Sequence, residues 1–256
     1  MFAREIKNKV YYVGVQDWGR RLFDSLIPLP DGTSYNSYLV KGSEKTAIID
    51  TVDPDFAEEY LQNLEGLDKL DYIITLHSEQ DHSGSIPILL NRFPQAQVVC
   101  SPKAVDLLKE HLGLDPAIIR AVEDGEIISL GDKSLRFIHT PWVHWPETMV
   151  AYMPETRILF SCDFLGSHSA GTDLYDNGDP LVMEAAKRYY AEIMMPFKSQ
   201  IRGNLKKVRE LNIELIANSH GPIWNHPEDI ISAYEDWVSD RVDNKVVIPY
   251  ISMHGS

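Results

Sequence analysis

Four side chains able to bind a metal fall within the stretch His77-Ser78-Glu79-Gln80-Asp81-His82, directly after an apolar run over 72–76. The run is β-branched and aromatic, so it predicts a buried strand that delivers the ligand types on a loop at its carboxyl end. Gly84 permits a sharp turn there, and a short helix is predicted over 86–93. His77 and Glu79, two apart in extended chain, can point to the same side. Asp81 and His82 are neighbours and diverge unless the turn re-aims them together. Imidazole and carboxylate groups at this density fit two metal ions better than one. Three further strand-like runs, over 135–140, 157–161 and 215–218, lead into His144, Asp163 and His220. Ligands gathered from the same end of several strands are what a rigid sheet supplies when loops build a binuclear pocket. These seven residues suffice for two ions.

The elements that must hold those loops alternate along the chain. Val10-Tyr11-Tyr12-Val13-Gly14-Val15 predicts a strand, 17–24 a charged loop, and Pro28-Leu29-Pro30-Asp31-Gly32 a turn. Strands over 35–40 and 46–49 flank a hairpin at Lys41-Gly42-Ser43-Glu44, and Asp50 ends the second with an acid. A helix over 56–64, a strand over 97–100, a helix over 103–112, a turn at 123–126, a strand over 127–130 and a helix over 183–194 complete the pattern.

A chain of 256 residues with 44% hydrophobic content builds a sizeable core, and one domain is the default. The net charge of −14 leaves no basic patch for phosphates, which excludes nucleic acid and anionic membranes as natural partners. Cys100 and Cys162 are too few for a disulfide framework and lack CxxC spacing; with no signal-like N-terminus and no bilayer-length apolar run, a cytoplasmic setting is expected.

The order HxExDH, His, Asp, His resembles the metallo-β-lactamase superfamily, and in detail the diiron domain of the flavodiiron proteins. Hydrolytic members usually show HxHxDH; here Glu79 takes the second ligand position. His144-Trp145-Pro146-Glu147-Thr148-Met149, the stretch Asp163-Phe164-Leu165-Gly166-Ser167-His168 and Ser219-His220-Gly221-Pro222-Ile223-Trp224 also resemble flavodiiron motifs. The resemblance implies an αββα four-layer sandwich of the α/β (α+β) class. It implies two Fe ions, one held by His77, Glu79 and His144, the other by Asp81, His82 and His220, with Asp163 and an oxo or hydroxo group as bridges. Glu79, Asp81 and Asp163 also bring three negative charges to two dications, and mixed imidazole and carboxylate ligation suits redox iron.

The family's chemistry, reduction of dioxygen to water or of nitric oxide to nitrous oxide, needs electrons from outside the metal site. In the resembled proteins a flavodoxin-like domain carrying FMN follows, and a head-to-tail homodimer brings one subunit's flavin beside the other's metals. A dimer of dimers and a reduced flavin or rubredoxin-like donor belong to the same expectation. The domain boundary is expected at 1–243, with 244–256 opening a flavodoxin-like domain: 246–251 predicts its first strand, and Ser252-Met253-His254-Gly255-Ser256 resembles the start of a phosphate loop. The chain departs from many members after Asp17-Trp18, where only Asp24 or Ser25 stands near the place of a histidine that approaches the second iron. Tyr189 and Tyr190 resemble a segment that places a phenol near the substrate, so Asp24, Tyr189 and Tyr190 are the candidate proton donors.

Two rivals stand beside this reading: a zinc hydrolase of the same superfamily, opposed by Glu79, and a stand-alone diiron oxygen sensor. His111, His139, His226 and His254 are expected to be ordinary structural histidines, and His168 to support the ligands. Both tyrosines are equally compatible with a helix's core face. Asp173, Asp176 and Asp179, a calcium ladder at first sight, fit a solvated loop better, and Cys162 fits packing better than ligation.

Overall fold

The computed structural model describes residues 3–241. Two sheets face each other. The first has seven strands in the order Arg4–Lys7, Val10–Tyr12, Tyr38–Lys41, Thr46–Ile49, Tyr72–Ile74, Gln97–Cys100 and Ile119–Ala121; it is antiparallel up to Thr46–Ile49 and parallel beyond. The second has five, Ile127–Ser129, Ser134–His139, Met149–Met153, Ile158–Cys162 and Leu215–Asn218, antiparallel except for the last pair. Two small hairpins, Val15–Asp17 with Thr33–Tyr35 and Leu22–Phe23 with Ile27–Pro28, fold over the end of the sandwich.

Period-two alternation explains the layering. Ile49, Ile74 and Val99 point inward to meet Phe137, Ala151 and Phe160 of the second sheet. Their chain neighbours Ile48, Ile73 and Val98 point outward to Tyr60, Leu89 and Leu108 on the helices Ala57–Asn63, Ile86–Arg92 and Ala104–Leu112. On the far side, Val150, Leu159 and Ile216 pack against Ala186, Leu205 and Ile230 from the helices Pro180–Tyr189, Lys198–Arg209 and Pro227–Trp237. The result is the αββα sandwich expected. Strand Met149–Met153 is central to the second sheet and buried along its whole length, so its sequence carries no polar alternation to announce it.

Local chemistry sets the helix ends. Pro180 opens one helix with Asp179 as its cap, accepting from Leu181 N–H at 2.9 Å, and Gly113 closes another in the left-handed region. Asp176 departs from the solvated loop expected of its stretch: it is buried and accepts from the backbone N–H groups of Gly178 and Asn225 at 2.9 and 2.8 Å. Residues 17–24, expected as loop, contribute strand residues Leu22 and Phe23. The strand expected over 246–251, the phosphate-loop start at 252–256 and His254 lie outside the described residues. No helix among the described residues is long and apolar enough to cross a membrane.

Candidate metal centre

The ligand loop is short and tethered. After strand Tyr72–Ile74, Leu76 N–H donates to Asp50 Oδ1 at 2.8 Å while Leu76 O accepts from Met149 N–H of the opposite sheet at 3.1 Å. His77 and Glu79 follow in extended chain. Asp81 and His82 lie on the single helical turn Gln80–Ser83, which turns the two neighbours to the same side and resolves their expected divergence. His82 O is gripped by both the N–H and the hydroxyl of Thr51, at 2.7 and 2.8 Å. Gly84 has ordinary helical torsions, φ −63° and ψ −24°, so the turn does not need it. Its smallness does: a Cβ there would lie 2.5 Å from Gln80 O and from Pro54 Cγ.

His144, Asp163 and His220 arrive from three loops of the second sheet. His77, Glu79, His144 and Asp163 form one cluster and Asp81, His82 and His220 another, the donor atoms of each lying within 4.8 Å of one another. Asp163 stands between them. Its Oδ2 is 3.2 Å from His144 Nε2 and 3.5 Å from His77 Nε2, and its Oδ1 is 3.0 Å from His82 Nε2 and 3.2 Å from His220 Nε2. Glu79 Oε2 sits 3.1 Å from both His77 and His144, and Asp81 Oδ2 3.3 Å from His220. Cys162 is also buried near His82 and Asp163.

The donor set fits metal ions. Both oxygens of Asp81, Oδ1 of Asp163 and both nitrogens of His82 are buried without hydrogen-bond partners, although His82 Nε2 is in contact with Asp163. Groups this close that do not hydrogen-bond are aimed at a common point, as ligands are. Burial opposes ionisation, but Asp163 and Glu79 push the His144 imidazole up to about 9, and Asp163 and Asp81 push His220 up to about 10. Against the same burial, the facing histidines hold Glu79 and Asp163 below the usual carboxylate range.

Groups behind the ligands fix their orientation. His220 Nδ1 lies 2.7 Å from Ser34 O; a carbonyl only accepts, so Nδ1 carries the proton and Nε2 faces the cluster. Asn36 Nδ2 donates to the carbonyls of Asn218 and Gly221 at 2.9 and 2.7 Å, fixing the loop that carries His220. His77 Nδ1 lies 2.7 Å from Glu147 Oε1, and Trp145 packs edge-on to His77 with ring centroids 5.0 Å apart. Nothing in the sequence assigns a role to Thr33, Ser34, Asn36 or Glu147. Glu147 falls within a motif and Asp50 ends a strand, but both act on neighbours remote in sequence.

A cavity of about 280 Å³ opens beside the clusters, lined among others by Phe23, Asp24, Ile27, His168, Tyr189 and Ile193. Asp24 sits at a hairpin tip with φ +48°; partial burial and the charges of Glu79 and Asp81 raise its carboxyl pKa. Tyr189 is buried with its ring 4.8 Å from that of His168, and burial followed by Asp163 keeps its phenol protonated. Tyr190 points elsewhere, correcting its candidacy: its hydroxyl donates to Trp237 O at 3.2 Å and its ring packs on Tyr234 and Trp237. The irregular turn Tyr190–Met194 begins at this residue, so consecutive tyrosines serve different faces. His168 is buried, bonded through Nδ1 to Thr33 Oγ1 at 2.8 Å, with Nε2 unpartnered and its ring 4.6 Å from that of His220. Burial keeps it neutral. His139 Nε2 meets Val122 O at 2.9 Å, far from any ligand role, and His111 and His226 are exposed.

Two facing sheets between helices, with histidines and carboxylates converging at one end, define a metallo-β-lactamase-like domain. The model of the ODP family beta lactamase matches residues 33–221, and the chain belongs to that family. It is 38% identical over 267 residues to coenzyme F420H(2) oxidase of Methanothermobacter marburgensis, covering 99% of this chain and 66% of that protein. It is 38% identical over 257 residues to nitric oxide reductase of Moorella thermoacetica, covering 97% of this chain and 64% of that one. The flavodiiron protein of Giardia intestinalis superposes with a TM-score of 0.87 at 33% identity, over 92% of this chain and 59% of the other. The flavodiiron resemblance is thereby borne out, and the chain spans less than two thirds of these relatives' lengths.

Proposed function

We propose that this domain is the diiron module of a flavodiiron reductase, acting on dioxygen, nitric oxide or both, with electrons relayed from FMN on a flavodoxin-like domain of a longer parent. Asp163 carries the reading: its two oxygens face two separate clusters, each supplied with imidazole and carboxylate, and Glu79 occupies the position where hydrolases usually hold histidine. His77, Glu79 and His144 would hold one iron and Asp81, His82 and His220 the other. Bound iron supplies electrons and a positive anchor for a small oxidant.

The chain's own residues do the rest. Phe23, Ile27 and Ile193 give the cavity an apolar wall suited to a neutral diatomic gas. Both reductions consume protons. The Tyr189 hydroxyl, held protonated, donates from the cavity wall, and Asp24 at the mouth exchanges protons with solvent. His168, neutral and bonded to Thr33, holds the wall beside His220. The proposal includes the boundary near residue 243, a flavodoxin-like continuation, a head-to-tail dimer, a rubredoxin-like or flavin donor and a cytoplasmic setting; relatives longer than this chain support the continuation.

The test is metal content and turnover on protein made with adequate iron and purified without oxygen. About two irons per chain, with consumption of dioxygen or nitric oxide when reduced flavin is added, is the expected result. Two zincs and no iron under those conditions would overturn it in favour of hydrolysis.

A further inference from the structure

His77 and His220 both turn Nε2 toward the clusters, but the groups behind them differ in charge. His220 donates from Nδ1 to the neutral carbonyl of Ser34 at 2.7 Å. His77 donates at 2.7 Å to a carboxylate, Glu147, whose side chain is fully enclosed. Among the described residues no other ligand histidine has a carboxylate on its far nitrogen, and His82 has no partner on either nitrogen.

Glu147 is built in firmly. Its Oε1 also accepts from the N–H and hydroxyl of Ser78 at 3.2 and 2.6 Å, and its own carbonyl accepts from Ser101 Oγ at 2.6 Å. It lies three positions after His144, so one side chain ties together the loops that carry His77 and His144. Its Oε2 has no partner among the described residues. Burying a carboxylate with one oxygen unsatisfied opposes folding, and a neutral amide could brace Ser78 as well. What an amide cannot do is raise the basicity of His77 Nε2 through a charged acceptor on Nδ1.

We propose that Glu147 is a positioning residue that makes the two metal positions unequal. The position of His77, Glu79 and His144 takes a divalent ion more tightly than that of Asp81, His82 and His220, because among the described residues only the first has a carboxylate bonded to the far nitrogen of an imidazole. The inference rests on the two-cluster reading of the site but on neither iron nor a gas.

The test titrates the full, metal-free chain with Co2+, by calorimetry and by visible absorption of the bound ion. The wild-type chain should show two steps, and Glu147→Gln, which keeps the shape and an acceptor for Nδ1–H, should weaken the tighter step about 10- to 100-fold while moving the weaker by less than about threefold. Equal weakening of both steps, no change in either, or a single unresolved step in the wild type would overturn it. If Glu147→Gln does not fold, 15N spectra of the wild-type zinc form decide: a protonated, strongly deshielded His77 Nδ1 supports the role, and an unprotonated one removes it. A wild-type chain that takes up no Co2+ sinks this inference and the metal site together. One that takes two Co2+ but never iron sinks only the reductase reading.

Discussion

Gly221 lies against Ser167 so closely that a Cβ on it would stand 2.1 Å from Ser167 Oγ and 2.5 Å from Ser167 O. It also has φ +80°, and the preceding residue is His220. The first obstacle is a side chain that can be trimmed; the second is backbone and cannot.

Gly221→Ala is therefore expected to lose more than about 2 kcal/mol of stability, from left-handed strain plus the clash. Adding Ser167→Gly should restore only part of that loss, as read by urea unfolding. Full restoration would show that the main-chain contact yields.

Asp163→Asn keeps size but gives one of the two clusters a donor NH2 in place of an oxygen ligand. Metal uptake should fall from two ions per chain to one or none, by elemental analysis. Retention of two tightly held ions would remove Asp163 from the bridging place.

Asp50 offers a pH prediction for the metal-free chain. Burial raises its pKa from 3.8 to about 6, against the pull of His82 and the Leu76 N–H. A carboxyl raised on folding contributes stability that is complete below its unfolded value and is lost as pH rises through the folded one. Asp50→Asn keeps the acceptor for Leu76, so it should gain on the wild type by about 3 kcal/mol between pH 4 and 7. Parallel stability curves for the two proteins would sink the assignment.

The adjacent tyrosines separate by substitution. Tyr189→Phe should lower turnover of the iron-loaded protein with little change in unfolding midpoint. Tyr190→Phe loses the bond to Trp237 O and should cost about 1 kcal/mol with turnover unchanged. The reverse pattern would return the donor role to Tyr190.

The seven residues that converge were legible as candidates because a metal site states its chemistry in residue types and order, and because their loops follow runs of strand-forming residues. Strands Thr46–Ile49, Gln97–Cys100 and Leu215–Asn218 fall where periodicity and turn residues put them. What escaped depends on contacts made only after folding. Glu147 and Ser34 act on histidines 70 and 186 residues away. Met149–Met153 is apolar on both faces and so has no period to detect. Tyr189 and Tyr190 share composition and differ only through the irregular turn between them and the next helix.

The first sheet is complete by Ala121 and the second begins at Ile127, yet each cluster draws from both: His77 and Glu79 with His144 and Asp163, Asp81 and His82 with His220. An ion in either cluster is thus a rivet through the seam between two sequential halves of the chain. The halves cannot slide or peel apart without ejecting it. At free metal a thousandfold above the dissociation constant, each such rivet adds about 4 kcal/mol to the folded state, and unfolding of the loaded domain should wait on metal release rather than on the fraying of either sheet.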